Sequence, residues 1–201
     1  MGKPKYFKYG TEEIDWLKSR DPVLGAAIDK IGLIRREVTP DLFTAMISSI
    51  VGQQISSKAA ATVWNRMTER FKPFTAETIA AAAPEELQTC GMSMKKAVCI
   101  RDLAALVVDG SLDLPALKKL PDDEVCKRLV EIKGIGSWTA EMLMIFSMQR
   151  KDIISYKDLA IIRGMKNLYR HREITPKLFE KYKKRYSPYA SVASLYLWAL
   201  S

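Results

Sequence analysis

The sequence predicts an all-α fold, and three observations support this prediction. Apolar residues recur at three- and four-residue spacing, as they do on one face of a helix. Helix-start signals precede several of these segments; Thr39-Pro40 and Thr175-Pro176 each place a capping side chain before a proline. No sustained two-residue alternation, the pattern of half-buried strands, runs through the sequence. We therefore expect about nine or ten helices of ordinary length.

The same signals place the main helices along the chain. An apolar face over residues 42–51 follows Thr39-Pro40 and predicts the first long helix of the core. Pro84 and Pro121 each precede acidic residues, a combination typical of the first turn of a helix. Residues 138–148 and 192–200 are apolar nearly all round, which predicts two buried helices.

The composition is that of a globular protein with an unusual charge. Of the 201 residues, 48% are hydrophobic and 27% are charged, which suits one domain or two small lobes. The net charge of +9 and the isoelectric point near 9.4 suit a polyanionic partner. Charge alone leaves open a basic surface that serves only solubility, or binding to a membrane surface.

Cysteine and histidine usage excludes several classes of site. The three cysteines lie at positions 90, 99 and 126 without CxxC spacing, which argues against a disulfide framework, a zinc knuckle and an iron–sulfur cluster. His171 is the single histidine, so a histidine-rich metal site is excluded. The N-terminus lacks an apolar run of signal-peptide length, and no stretch is apolar enough to span a bilayer. We expect no membrane association and a cytoplasmic, nucleoid-associated protein, or a nuclear one in a eukaryote.

The most informative segment is Ile132-Lys133-Gly134-Ile135-Gly136-Ser137, which lies between two predicted helices. Gly134 and Gly136 are expected to give a tight turn access to positive φ. The turn would present backbone N–H groups at the start of the second helix, where phosphate binds readily, and Lys133 adds charge. The two isoleucines are expected to anchor the turn in the core. An ordinary helix–turn–helix corner is the alternative, but the basic chain favours DNA binding.

A carboxylate, Asp158, directly precedes the next helical segment, residues 159–168. The helix dipole and the first backbone N–H groups would keep this carboxylate ionised. A fixed negative charge, or a base for water, is what cleavage through an oxocarbenium-like transition state requires. Taken alone, these residues favour a simpler role for Asp158 as a helix N-cap.

The passage over residues 132–142, followed by Asp158, resembles the helix–hairpin–helix DNA glycosylase superfamily. It is most similar to the DNA-3-methyladenine glycosylase II (alkylbase) branch, here in a compact form. Residues 50–60, 90–97 and 187–198 resemble other segments of the family in the same order. The resemblance covers most of the chain beyond about residue 40, and several ordered motifs are more specific than one.

The resemblance implies two helical lobes with a DNA-binding cleft between them. One lobe would span 32–152 and contain the hairpin at 132–137, and the other would combine 1–31 with 153–201. The implied substrate is double-stranded DNA that contains damaged bases, bound by a monomer. The implied product is an abasic site. Bifunctional members carry a nucleophilic lysine where this chain has Trp138, so lyase activity is not expected.

The resemblance also assigns site residues. Asp158 is the implied catalytic carboxylate, acting either electrostatically or as a base for water. An aromatic pocket would favour cationic alkylpurines through cation–π contact. Met142 stands where some relatives have a pocket tyrosine, and core packing is the alternative for both tryptophans. The implied sets are Trp138, Trp198 and Met142 for the base pocket, Gln53 and Gln54 for the wedge that replaces the flipped base, and Lys133, Gly134, Gly136, Ser137, Thr139, Ser57 and Lys58 for phosphate.

No cofactor is expected to be required. In the family the hairpin can bind a monovalent cation, Na⁺ or K⁺, through backbone carbonyls, and the matching positions are Val130, Ile132 and Ile135. Three other functions stay open beside the glycosylase: a non-catalytic protein that binds damaged DNA on the same scaffold, a bifunctional glycosylase/lyase, and a helical protein–protein adaptor. Asp158 argues against the first, Trp138 against the second and the charge against the third.

Overall fold

The computed structural model describes residues 3–201, and over these residues it contains thirteen α-helices and one two-stranded antiparallel sheet. The prediction of an all-α fold is confirmed. The chain divides into two compact units: the first combines the segment up to Pro40 with Met144–Ser201, and the second is Asp41–Leu143. Within residues 3–201, no helix has both the length and the apolar character needed to cross a membrane.

The helices and strands follow one another in this order. The N-terminal part of the first unit contains β1 (Lys5–Tyr6), α1 (Thr11–Arg20), α2 (Pro22–Ile31) and β2 (Glu37–Val38). The second unit contains α3 (Leu42–Gly52), α4 (Ser57–Arg70), α5 (Ala76–Ala81), α6 (Pro84–Gln88), α7 (Met94–Val108), α8 (Leu114–Leu117) and α9 (Asp122–Glu131). Helix α10 (Ser137–Phe146) runs from the second unit into the first, which continues with α11 (Leu159–Tyr169), α12 (Pro176–Tyr186) and α13 (Ala190–Ala199).

The number of helices exceeds the expected nine or ten because three of them are very short. Helices α5, α6 and α8 have 6, 5 and 4 residues, too few for an apolar period to repeat. Side chains still cap two of them, since Thr75 accepts the N–H of Thr78 and Asp113 accepts the N–H of Ala116. Local capping therefore marks these helices better than periodicity does.

Backbone pairing sets the boundary between the units. Strands β1 and β2 pair Lys5 with Val38, and the N–H of Thr39 donates to the carbonyl of Phe146 at 2.9 Å. As a result, residues 32–40 and 144–152 belong to the first unit, whereas the sequence placed both in the hairpin lobe. Strands of two residues are too short to show an alternation of apolar and polar side chains. Hydrogen bonds between backbone groups also leave no pattern of residue types in the sequence.

In the first unit, a buried carboxylate joins three helices. Asp21 is fully buried and caps α2, since its Oδ1 accepts the N–H groups of Val23 and Leu24. Its Oδ2 accepts the hydroxyl of Tyr169 at 2.7 Å and a guanidinium N–H of Arg185 at 2.9 Å. The last residue of α11 and the C-terminal turn of α12 are thereby fixed to the start of α2, and α11 is the helix that begins after Asp158.

In the second unit, the core surrounds α3 and α7. Met46, Ile47 and Ile50 of α3 and Ile100 of α7 are at most 1% exposed. The hairpin packs on this core, because a β-carbon at Gly134 would lie 3.5 Å from the β-carbon of Cys99 and 3.7 Å from Cδ1 of Ile50. The position of the hairpin is therefore set by α3 and α7 as well as by its own two helices.

Candidate active site

Asp158 is both a helix cap and a largely buried carboxylate. It precedes α11 with φ −85° and ψ 107°, and its side chain is 7% exposed. Oδ1 accepts the N–H of Ala160 at 2.9 Å and the N–H of Ile161 at 3.1 Å. The two sequence-based interpretations of Asp158 are thus compatible, since a carboxylate that caps a helix keeps its negative charge. The cap holds the carboxylate in one orientation at the positive end of the helix dipole.

Exposed apolar side chains flank this carboxylate in sequence. Leu159 is 74% exposed and Tyr156 is 41% exposed. The Tyr156 ring packs edge-on against Phe179, with the ring centroids 5.1 Å apart, and its hydroxyl donates to the carbonyl of Ile174 at 3.3 Å. Ligand-binding sites are commonly lined by apolar and aromatic side chains, so both are candidates for the surface near Asp158. Sequence reasoning did not single out Leu159, directly after Asp158, or Tyr156, two residues before it.

Trp198 lies in the last turn of α13 and is half-buried. Its ring lies 5.3 Å from the ring of Phe146, at an interplanar angle of 33°. The guanidinium of Arg36 lies 5.0 Å from the centroid of the same Phe146 ring. Core packing alone does not account for Trp198, because the residue is only half-buried. Phe146 and Arg36 are further members of this aromatic cluster that the sequence did not indicate.

The end of α13 that carries Trp198 is fixed to α11. The side-chain amide of Asn167 donates to the carbonyl of Leu200 at 2.8 Å. One turn earlier, the backbone at Gly164 approaches Leu197 so closely that a β-carbon there would lie 2.8 Å from the carbonyl carbon. The two contacts hold the residues on both sides of Trp198 against the helix that follows Asp158.

The hairpin has the predicted form in the second unit. Ile132 and Ile135 are buried, at 6% and 3% exposure, and the N–H of Ile135 donates to the carbonyl of Ile132 at 3.0 Å. Gly134 has φ +92°, a conformation that favours glycine. The expectation of positive φ at Gly136 is wrong, because Gly136 is not among the residues with positive φ. A β-carbon at Gly136 would meet nothing within 4 Å, so the hairpin itself does not require glycine there.

Most predicted phosphate-binding groups are accessible. Lys133, Gly134 and Gly136 are exposed at the turn, and Ser137 begins α10, whose first-turn N–H groups lie at the positive end of the helix dipole. The side chain of Thr139 is different, because it is only 7% exposed. The other two predicted contacts lie in the first turn of α4 and are exposed: Ser57 and Lys58.

Trp138 presents its ring to solvent on α10. It is 45% exposed, so ordinary core packing does not explain it. Met142 lies one turn further along and is half-buried, on the same face of the helix at i+4 spacing. By contrast, Ala140, Leu143 and Ile145 are buried. Trp138 and Met142 therefore form a partly exposed apolar stripe on a helix whose other apolar residues are mostly buried.

The two candidate wedge glutamines have different roles in the loop between α3 and α4. The side-chain amide of Gln53 donates to the carbonyl of Gly134 at 2.8 Å, so Gln53 ties this loop to the hairpin. Gln54 is exposed and has φ +58°, an unusual conformation for a residue with a side chain. The structure leaves Gln54 at the tip of the loop, next to Ile55, which is 41% exposed.

Lys96 supports this loop from α7. Its ammonium donates to the carbonyl of Val51 at 2.8 Å and to the carbonyl of Gln53 at 2.5 Å. Burial lowers the pKa of Lys96 below its ordinary value. Lys96 thus caps the C-terminal end of α3, where the helix dipole favours a cation. Its partners are distant backbone carbonyls, which no sequence signal indicates.

The hairpin contains the carbonyl groups that the sequence suggests for a monovalent cation, those of Val130, Ile132 and Ile135. Val130 lies in the last turn of α9, where carbonyls have no intrahelical donor, and the carbonyl of Ile132 uses one of two lone pairs for Ile135. Neutral oxygen donors of this kind suit Na⁺ or K⁺ better than a transition metal. Ile135 is the third matching position, on the opposite side of the turn.

A protein-family model matches most of the chain. Residues 47–188 match the model of the HhH-GPD superfamily base excision DNA repair protein. The match includes the loop with Gln53 and Gln54, the hairpin and Asp158. A curated relative, DNA-3-methyladenine glycosylase 1 of Schizosaccharomyces pombe, is 32% identical over 164 residues, which cover 79% of this chain and 72% of the relative.

Solved structures agree with the family model. A DNA-3-methyladenine glycosidase of Bacillus halodurans superposes with a TM-score of 0.87 and 34% identity, covering 97% of this chain and 91% of that one. A 3-methyladenine DNA glycosylase of Schizosaccharomyces pombe, in complex with abasic DNA, superposes with a TM-score of 0.76 and 29% identity, covering 94% and 95%. The chain thus belongs to the HhH-GPD superfamily of base excision DNA repair proteins.

Proposed function

We propose that this protein is a monofunctional DNA glycosylase that releases alkylated purines from duplex DNA and leaves an abasic site. The observation that carries the proposal is the capped, largely buried carboxylate of Asp158, in a chain whose relatives are 3-methyladenine DNA glycosylases. A helix-capping carboxylate by itself does not indicate catalysis. In a chain of a base excision DNA repair family, a carboxylate held in this way can take part in breaking the glycosidic bond.

The role of this carboxylate is the stabilisation of positive charge on the sugar. As the glycosidic bond breaks, the deoxyribose develops oxocarbenium character, and a nearby fixed carboxylate lowers the energy of that state. Asp158 is already oriented by the N–H groups of Ala160 and Ile161, so little reorganisation is needed during reaction. The same carboxylate could instead orient water, and either role ends with water adding to the sugar and the base departing.

The exposed tryptophans suit the base. A purine alkylated at a ring nitrogen carries positive charge, and the face of a tryptophan attracts a cation. Trp138 and Trp198 each show part of their ring, and we assign both to the base pocket with Met142. A cationic base also leaves readily without a protein acid. We predict that Trp138 and Met142 contact the same base whose glycosidic bond Asp158 helps to break.

The hairpin and the loop around Gln54 suit DNA itself. Exposed Lys133 and the first-turn N–H groups of α10 would bind a phosphate, which positions the duplex without reading its sequence. Gln54, exposed at its loop tip, would fill the gap left by the flipped base. Gln53 would support the loop rather than enter the duplex, because its amide is bonded to Gly134.

Two further features belong to this proposal. Val130, Ile132 and Ile135 would hold a monovalent cation, which supplies positive charge beside the phosphate. Exchange of K⁺ for tetramethylammonium at constant ionic strength should then weaken duplex binding. We also propose that the protein acts on damaged duplex DNA as a monomer, which sedimentation of the protein–DNA complex would test.

The deciding experiment compares wild type with Asp158→Asn. Asparagine still offers an Oδ1 that accepts the two N–H groups, so the cap survives while the charge is removed. We expect wild type to release methylated purines from methylated duplex DNA, and Asp158→Asn to release at least a hundredfold less in the same time. Both proteins should bind the duplex with similar affinity. Strand cleavage should appear only after alkali treatment, because an abasic site remains.

Other outcomes would overturn the proposal. Tight duplex binding without base release by wild type would favour a non-catalytic protein that binds damaged DNA. Strand cleavage without alkali would favour a bifunctional lyase. Equal release by wild type and Asp158→Asn would remove Asp158 from the mechanism.

A further inference from the structure

A basic groove lies on the first unit along α12 and the end of α1. It consists of two adjoining cavities of about 700 Å³ and about 350 Å³, which share Lys181 and Lys184 in their linings. We call this surface the α12 groove. Glu180 is the one acidic residue among its lining residues. Five cationic side chains also line it: Arg20, Lys177, Lys181, Lys184 and Arg185.

The three lysines of the groove are available to a partner. Lys177, Lys181 and Lys184 occupy positions i, i+4 and i+7 of α12, so they share one face of the helix. All three are exposed, and within residues 3–201 none of them forms an ion pair. Protein surfaces usually mix both signs of charge, so three adjacent lysines without carboxylate partners indicate an anionic ligand.

The two arginines are held in place at the other end. Arg185 donates to Asp21 at 2.9 Å, and this hydrogen bond raises the pKa of Arg185. Arg20 is exposed, and its guanidinium lies 5.3 Å from the ring centroid of Trp16. The groove thus combines flexible lysine side chains with two arginines, one oriented by a hydrogen bond and one by packing on a ring.

We propose that the α12 groove binds the phosphate backbone of duplex DNA, independently of the hairpin. Lys177 and Lys184 are seven residues apart, which is about 10 Å along a helix. Duplex DNA carries one phosphate per strand every 3.4 Å or so of its axis, so the lysines span about three phosphates of one strand. A shallow, open groove with point charges suits phosphates and does not read bases. The proposal depends on DNA being the substrate, and it does not depend on which lesion is excised.

The test measures how binding to undamaged duplex DNA depends on salt. Each phosphate contact contributes about 0.9 to the slope of log K against log salt concentration. The triple variant Lys177→Gln/Lys181→Gln/Lys184→Gln should therefore lower the slope by about 2 to 3. The matched control is Lys30→Gln/Lys72→Gln/Lys119→Gln, whose lysines are exposed outside the groove. Both variants lower the net charge from +9 to +6, so any effect of total charge is shared.

Two additional measurements separate this proposal from the proposed catalysis. Glu180→Gln removes the acidic residue of the groove and should raise affinity at low salt, opposite to the lysine variants. Base release at saturating enzyme should be the same in wild type and in the triple variant, since the groove does not touch the reacting bond. If wild type releases no base, the catalytic proposal fails while the slopes still test the groove. An equal slope for the triple variant and its control would falsify the groove proposal.

Discussion

Gly164 of α11 and Leu197 of α13 are in backbone-to-backbone contact. A β-carbon built on Gly164 would overlap the carbonyl oxygen of Leu197 and would lie 2.8 Å from its carbonyl carbon. Only glycine permits two helices to approach so closely. The helix that begins after Asp158 is thereby locked to the helix that carries Trp198.

Replacement of Gly164 by alanine should therefore destabilise the protein. The clash is with backbone rather than with the end of a flexible side chain, so the helices must separate. We expect a loss of about 1 to 3 kcal/mol in the free energy of unfolding, measured by chemical denaturation. Gly52→Ala is the control, because its β-carbon would lie 4.0 Å from that of Ala60. The control should be neutral or stabilising by up to about 1 kcal/mol. Equal stability of both variants would contradict the close contact.

The two hairpin glycines should respond differently to alanine. Gly134 has φ +92°, so Gly134→Ala should cost about 1 to 2 kcal/mol of stability. Gly136 has open space around its α-carbon, so Gly136→Ala should fold with little loss of stability. A methyl group there would still obstruct a phosphate that approaches the first turn of α10, so duplex affinity should fall. Parallel thermal unfolding and DNA-binding titrations check this, and normal DNA binding by Gly136→Ala would exclude phosphate contact at that position.

Gln54 should show opposite effects on stability and activity. Its φ of +58° costs a residue with a side chain about 1 to 2 kcal/mol, whereas glycine adopts it freely. The unfolded-state entropy of glycine offsets part of the gain, so Gln54→Gly should be neutral or more stable by up to about 1 kcal/mol. Base release from duplex DNA should fall, because the side chain that fills the gap is removed. The comparison variant Gln53→Ala breaks the bond to Gly134 and should lower stability. Unchanged release by Gln54→Gly would show that Gln54 is not the wedge.

Part of the stability at neutral pH should depend on the charge of Glu13 and should be lost at acidic pH. Burial alone would raise the pKa of Glu13, but hydrogen bonds from Lys151 and from the N–H of Gly10 lower it below its ordinary value of 4.5. A carboxyl whose pKa is lower in the folded state contributes stability above its ordinary pKa, and this is lost as pH falls through the folded value. Glu13→Gln should therefore cost about 0.5 to 1 kcal/mol at neutral pH, a small value because half of Lys151 is exposed.

The measurement for Glu13 is urea unfolding of wild type and Glu13→Gln over a range of pH. The difference between the two should be largest at neutral pH and should shrink as pH falls below 4.5. Asp29→Asn is the control, because Asp29 pairs with Lys18 on the surface, where 61% of its side chain is exposed. A difference between wild type and Glu13→Gln that does not change with pH would mean that the charge of Glu13 is not what stabilises the fold.

The amino-acid sequence by itself determined the helical fold, the hairpin and the place of Asp158 at the start of α11. These features depend on residues close together in the chain: an apolar period, a capping side chain, a glycine that allows positive φ at Gly134. Local physics acts over three or four residues, so it is visible in the sequence.

Only the tertiary structure decided the contacts that position these features. Gly164 against Leu197, Gln53 on the carbonyl of Gly134 and Lys96 on the end of α3 all join a residue to a distant backbone group. The boundary of the units near Pro40 and Met144 rests on backbone pairing in the same way. Nearly every residue carries the same backbone N–H and C=O groups, so the sequence does not indicate which backbone group a given side chain will contact. That choice is made by the packing of the whole chain.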